Sequence, residues 1–201
     1  MANTNSPFGF RPIKMRNGAP YKGDVMPYYI PSTDSNAMYK GDLVDVAGSS
    51  NSSAINGFKA GTLPTIALAT VGATNRILGA IVGFERPSSI TDSLSTNYRV
   101  ASTDAIAYVV LANDVIFEAQ NDEDMEAGDA SSNVNFSAGS GGSTTSGYSS
   151  HQIDSSTITQ DATYQLFVHR LVNRENNELG DYAIAEVSVN LPRVSPDTVG
   201  I

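Results

Sequence analysis

Two histidines, one acidic run and one glycine-serine loop are the residues of this 201-residue chain whose types and spacing suggest chemistry. There are no cysteines, which excludes disulfides, thiol nucleophiles and thiolate metal sites. His151 falls in a Ser/Gly-rich stretch and His169 in an apolar one. A zinc site needs several clustered His, Cys or carboxylate ligands, and an imidazole base needs a nucleophile and an orienting partner. The spacing offers neither, so His169 reads as a strand-pairing or surface residue. The run Asp122, Glu123, Asp124, Glu126 and Asp129 gathers enough oxygens to test for calcium. An EF-hand loop requires Gly at its sixth position and a bidentate Glu at its twelfth; counted from Asp122, these are Ala127 and Asn133. A solvated acidic loop, with one short helical turn, is the expectation; a non-EF calcium site is the alternative. Gly139–Thr145 (GSGGSTT) resembles a phosphate-cradling loop but lacks the P-loop spacing and its lysine. No serine sits in a G-x-S-x-G elbow. No catalytic, metal or cofactor residue is assigned, and the expected mode of action is binding.

The elements that must position any site are strands. Ala105–Gln120 (AIAYVVLANDVIFEAQ) is the most apolar stretch and reads as a central hairpin turning at Asn113-Asp114. Its first run should be covered on both faces. Its second, alternating Val115, Phe117, Ala119 with Ile116, Glu118, Gln120, should be half exposed. Further strands are predicted over Leu43–Ala47, Thr65–Val71, Ile77–Phe84, Ala162–Val172 and Tyr182–Leu191, the last with Ala183, Ala185, Val187, Val189 and Leu191 on one face. The glycines of Ile77–Phe84 suggest bulges or curvature. Eight to ten short strands with little helix predict an all-β body, a β-barrel or a jelly-roll-like β-sandwich.

Residues 1–37 read as an extended N-terminal arm, 38–193 as a single β domain and 194–201 as a C-terminal tail. Ser88–Thr96 reads as a polar loop and Ser131–Ser150 as a long Ser/Gly-rich one, either flexible at the surface or irregular and ordered only by a partner. Five prolines between Pro7 and Pro31 punctuate the arm, each removing a backbone donor. Its aromatics suit packing on the chain's own barrel or on a neighbouring subunit equally well. Phe8, Phe10, Arg11, Tyr28 and Tyr29 are the candidate partner contacts. Tyr21-Lys22-Gly23-Asp24-Val25 is echoed by Tyr39-Lys40-Gly41-Asp42-Leu43-Val44, which reads as shared turn chemistry rather than a repeat array.

The net charge is −9, with 21 acidic against 12 basic side chains, which argues against a DNA-neutralising surface. The N-terminal residues lack the pattern of a signal peptide, and no apolar run approaches the ~20 residues needed to span a bilayer. Neither nucleic acid nor membrane is expected as a partner.

Several segments together resemble the small structural proteins of tailed bacteriophages that decorate or cement the capsid. They are the opening Met1–Ile13 with its P-F-G-F-R-P-I, Tyr39–Val44, Ile77–Phe84 followed by Pro87, Val115–Gln120 with its acidic follower, and Asn176-Asn177-Glu178-Leu179-Gly180. The resemblance implies a cytoplasmically made virion protein, seated in many copies on the outer capsid surface and bridging major capsid protein subunits. It also implies a homo-oligomer, a trimer in preference to a dimer. The alternatives are a tail- or fibre-associated adhesin, with Ser131–Ser150 as its tip, and a hydrolase with a hidden carboxylate pair.

Overall fold

The computed structural model describes residues 3–85 and 97–194. The polar loop predicted over Ser88–Thr96 and all but the first residue of the predicted tail 194–201 lie outside the described residues. The chain is all-β, as its composition predicts. Five strands close a barrel in the order β2 (Met26–Ile30), β5 (Pro64–Leu68), β4 (Leu43–Ser50), β6 (Gly79–Phe84), β8 (Ala105–Leu111). Six more form a sheet in the order β1 (Arg11–Met15), β9 (Val115–Gln120), β13 (Ile184–Val189), β12 (Leu166–Leu171), β10 (Asn133–Ser137), β11 (Gln152–Thr159). The two-residue strands β3 (Met38–Tyr39) and β7 (Tyr98–Arg99) pair separately. The acidic run contributes one 3-10 turn, Ala127–Asp129.

Alternation along the barrel strands divides the apolar side chains between two cores. Val44, Ile81, Ala107 and Val109 point into the barrel with Tyr28, Ile30 and Ile66. Their neighbours Leu43, Ala80 and Val110 join Phe117, Ala119, Val187 and Val189 in a second, larger core between barrel and sheet. This explains the continuous apolar run of β8: both of its faces are covered, as its sequence predicts. Gly79 of β6 lies so close to β8 that a Cβ there would stand 1.9 Å from the Val110 carbonyl oxygen. The β6–β8 register shifts between Ile81 and Gly83, a bulge of the kind its glycines predict.

Ala105–Gln120 is not a hairpin: β8 pairs with β2 and β6, whereas β9 pairs with β1 and β13. At Asn113-Asp114 the chain passes from barrel to sheet, and the two runs stack across the larger core. The second run is buried on both faces, Glu118 and Gln120 included. Residues 1–37 are not an extended arm, because they supply β1 to the sheet and β2 to the barrel. Ser131–Ser150 is not a free loop, because it contains β10 with Phe136 fully buried and, next to its last residue, buried Ser149.

Candidate functional site

One surface with the chemistry to hold a partner is a groove of about 500 Å³ where the N-terminal segment crosses the barrel. Phe8, Arg11 and Pro12 form one wall, and Tyr21, Gly23 and Val25 of the β1–β2 connection form a second. Lys40, Gly41, Ile81, Val82 and Tyr148 supply the floor and far side. Two aromatic-cation pairs line it, each joining an exposed and a half-buried side chain: the Arg11 guanidinium lies 5.0 Å from the Phe8 ring centre and Lys40 Nζ 5.1 Å from that of Tyr148. Tyr148 is 45% exposed and Val25 38%, so part of the groove's apolar lining is open to solvent. Such cation-capped rings give large contact area at little conformational cost, which suits them to binding.

Local backbone geometry builds the groove. Gly9 and Gly41 both take positive φ and pack back to back, so that a Cβ on Gly9 would lie 2.6 Å from the Gly41 Cα. The Phe10 amide donates to the Gly41 carbonyl at 2.9 Å, and the Phe10 ring then enters the larger core edge-on to Phe136. Arg11 is steadied by ion pairing with Glu118, which also pairs with Arg174. Tyr148 is carried by a parallel bridge to Lys40, closed by Lys40 N to Gly147 O and Ser149 N to Lys40 O, each 2.9 Å. The sequence echo has a structural meaning: Gly23 and Gly41 adopt φ of 90° and 93°, and both turns line this groove.

Of the five candidate contacts, Phe8 and Arg11 stand at the groove surface. Phe10 supports it from beneath, only 1% exposed. Tyr28 and Tyr29 lie elsewhere: Tyr28 is buried in the barrel, and the Tyr29 hydroxyl donates to Asp104 Oδ1 at 2.6 Å. Burial, reinforced by Asp104, pushes the Tyr29 phenol up to about 12. Tyr148 and Lys40 were not singled out by sequence. Their only signal was the Tyr-Lys-Gly-Asp echo, which marks the Lys40 turn but not its distant partner.

His151, placed by its sequence in a flexible stretch, is buried beneath the groove against Asp42. Its Nδ1 accepts from the Leu43 amide at 3.1 Å, so the neutral ring carries its proton on Nε2, 3.5 Å from Asp42 Oδ1. Asp42 Oδ2 accepts from the Tyr39 amide at 2.7 Å. Burial pushes the Asp42 carboxyl up to about 6 and His151 down to about 4. The consequences for stability have opposite signs. Asp42 stabilises the fold below its ordinary 3.8, and this is lost as pH rises towards 6. His151 stabilises above its ordinary 6.5, and this is lost as pH falls towards 4. The two offset each other over much of the same window. Asp42→Asn should therefore unmask the histidine: unfolding free energy should fall by roughly 3 kcal/mol between pH 6.5 and 4, against a flatter wild-type profile. Urea titrations across that range measure it; equal slopes for the two proteins would refute it.

Two carboxylates of the acidic run, Asp122 and Asp129, and the His169 ring have partners within the fold. Asp122 Oδ1 accepts from Ser155 N and Oγ, and Asp129 Oδ2 accepts from the Glu126 amide. His169 Nε2 lies 2.9 Å from Ser188 Oγ on the outer face of the sheet. Among the described residues no three His, Asp or Glu side chains are grouped to hold a metal ion. Comparison with protein-family models, with curated proteins and with solved structures returns no match.

Proposed function

We propose that this protein is a structural binding subunit of a phage particle, transforming no substrate. In this reading it sits on the outer capsid surface and cements neighbouring major capsid protein subunits. The observation that carries it is the convergence of Phe8, Arg11, Tyr21, Lys40 and Tyr148 around one open groove, from segments far apart in sequence. Aromatic and arginine side chains concentrate at protein interfaces, and an open groove lined by them can seat an extended chain segment. The outward acidity of the molecule fits a surface turned away from packaged DNA. Each contact is modest, and many copies on one shell hold it by avidity.

Truncating the N-terminal segment cannot test this, because that would remove two strands of the body. Tyr148→Ala and Phe8→Ala leave the cores intact and should each weaken capsid binding about tenfold, within the usual range for an interface aromatic. Tyr29→Phe, away from the groove, should leave binding unchanged. Co-sedimentation with capsids stripped of this protein gives the readout. Wild-type saturation by both groove variants would overturn the proposal.

A further inference from the structure

The outer face of the six-stranded sheet carries a charge arrangement that the groove does not use. Lys14 and Arg16 from β1 and its follower meet His169 and Arg170 of β12 around a concavity of about 540 Å³. One carboxylate serves two of these cations: Glu186 Oε2 takes Lys14 Nζ at 2.7 Å and Arg170 Nε at 2.9 Å. Arg16 donates to the Val189 carbonyl, a neutral partner. Three fixed cations thus face one anion, in a chain whose net charge is −9. His169 senses the imbalance: burial and then Arg16, with Lys14 and Arg170, hold its protonation below the ordinary range against the pull of Glu186.

The acidic counterpart lies at the other end of β9. Lys14 pairs with Ile116, and the Arg16 amide donates to Asp114 O, both at the start of that strand. The turn bearing exposed Glu123, Asp124 and Glu126 begins after its last residue, Gln120. At ~3.3 Å per residue, six strand residues hold the two apart by roughly 17–20 Å. The turn is rigid, pinned by buried Met125, by reciprocal amide bonds between Met125 and Gly180 and by Tyr182 N to Glu123 O. A chain therefore cannot neutralise its own cationic concavity with this turn, but a second copy can.

We infer that the Lys14–Arg16–Arg170 concavity receives the Glu123–Asp124–Glu126 turn of another copy of this chain in a head-to-tail contact. Because the two surfaces differ, repetition closes into a ring or runs on as a filament, and a ring matches a capsid-seated oligomer. Nucleic acid is disfavoured as the occupant, since a chain of net charge −9 repels a phosphate backbone as a whole. The inference rests on reading the protein as a self-associating structural subunit.

Sedimentation velocity at about 50 mM salt, where the Debye length still exceeds roughly 10 Å, tests the contact. Wild-type protein should associate, and added salt should weaken the association. Lys14→Glu with Arg16→Glu, and separately Glu123→Lys with Asp124→Lys and Glu126→Lys, should each weaken it roughly tenfold or more. An equimolar mixture of the two reversed proteins should restore it, because each then offers the surface the other needs. Arg16→Gln, which keeps both ion pairs to Glu186, guards against misfolding and should show a smaller loss in the same direction. On association the His169 titration, followed by NMR, should move up. A monomeric wild type, association indifferent to either reversal, or sensitivity to the cationic reversal alone would overturn the inference. If the reversed proteins self-associate normally while Tyr148→Ala loses capsid binding, the head-to-tail contact fails and the groove reading stands; the converse result separates them the other way.

Discussion

Deletion of residues 1–31 should abolish cooperative folding rather than release an arm. β2 lies between β5 and β8 in the closed barrel, so its loss leaves both with an unpaired edge and opens the interior holding Ile66 and Val109. β1 covers one edge of β9, and its loss strips Glu118 of Arg11 and Glu186 of Lys14. The deletion also removes buried Phe10, Tyr28 and Ile30. Truncating a single buried Phe to Ala costs about 3–5 kcal/mol, and whole domains hold only about 5–15 kcal/mol. Phe10→Ala isolates one contribution: it empties an edge-on contact with Phe136 at 6.5 Å between ring centres and should cost about 3–5 kcal/mol in urea unfolding. A truncated protein that still melts in one sharp transition at the wild-type temperature would contradict the integration of this segment.

The misreading of this segment shows where sequence reasoning stops. Prolines do disfavour a central strand, but β1 is an edge strand and Pro12 sits at a register shift, two places where a missing donor is tolerated. Pro27 lies in β2, whose pairing with β5 involves only Tyr29 and Thr65. The faces of β8 and β13 were legible because their patterns are local: a continuous apolar run, and alternation of Ala183, Ala185, Val187 and Val189. Pairing was not legible. Asn113-Asp114 carries hairpin chemistry, yet Val110 and Ala112 share one core with Val115 and Phe117, so covering faces outweighed the local turn signal. Glu118 and Gln120 looked exposed because their partners, Arg174 and the Thr4–Ser6 backbone, are distant in sequence. The groove was half visible for the same reason: Phe8 and Arg11 are near neighbours, whereas Tyr148 reaches Lys40 only through the folded barrel.

Arg99→Met should be among the most destabilising single substitutions in the body, at about 3–5 kcal/mol, the usual cost of removing one partner from a buried charge network. The Arg99 side chain is fully buried, yet its guanidinium is engaged on every side. Nε donates to Thr103 O at 2.9 Å, Nη2 to Pro31 O and Asp34 O, each at 2.9 Å, and Nη1 to Asn36 O. The Asp34 carboxylate stands 3.6 Å away. Burial lowers the guanidinium's proton affinity, and Asp34 and Asp104 oppose that. Methionine would fill much of the space but strand four carbonyl acceptors, and each buried unsatisfied group costs about 1–3 kcal/mol. The damage should spread to the barrel seam, because the same two loops carry Asp104 to the Tyr29 hydroxyl and to the Ser32 amide. Arg99→Lys restores the charge but not the planar fork, and one ammonium cannot reach four carbonyls. It should therefore recover less than half of the lost stability. If lysine recovered nearly all of it in urea unfolding, charge rather than directed hydrogen bonding would be what Arg99 supplies; if methionine cost less than about 1 kcal/mol, the carbonyl cage would contribute little to closing the barrel.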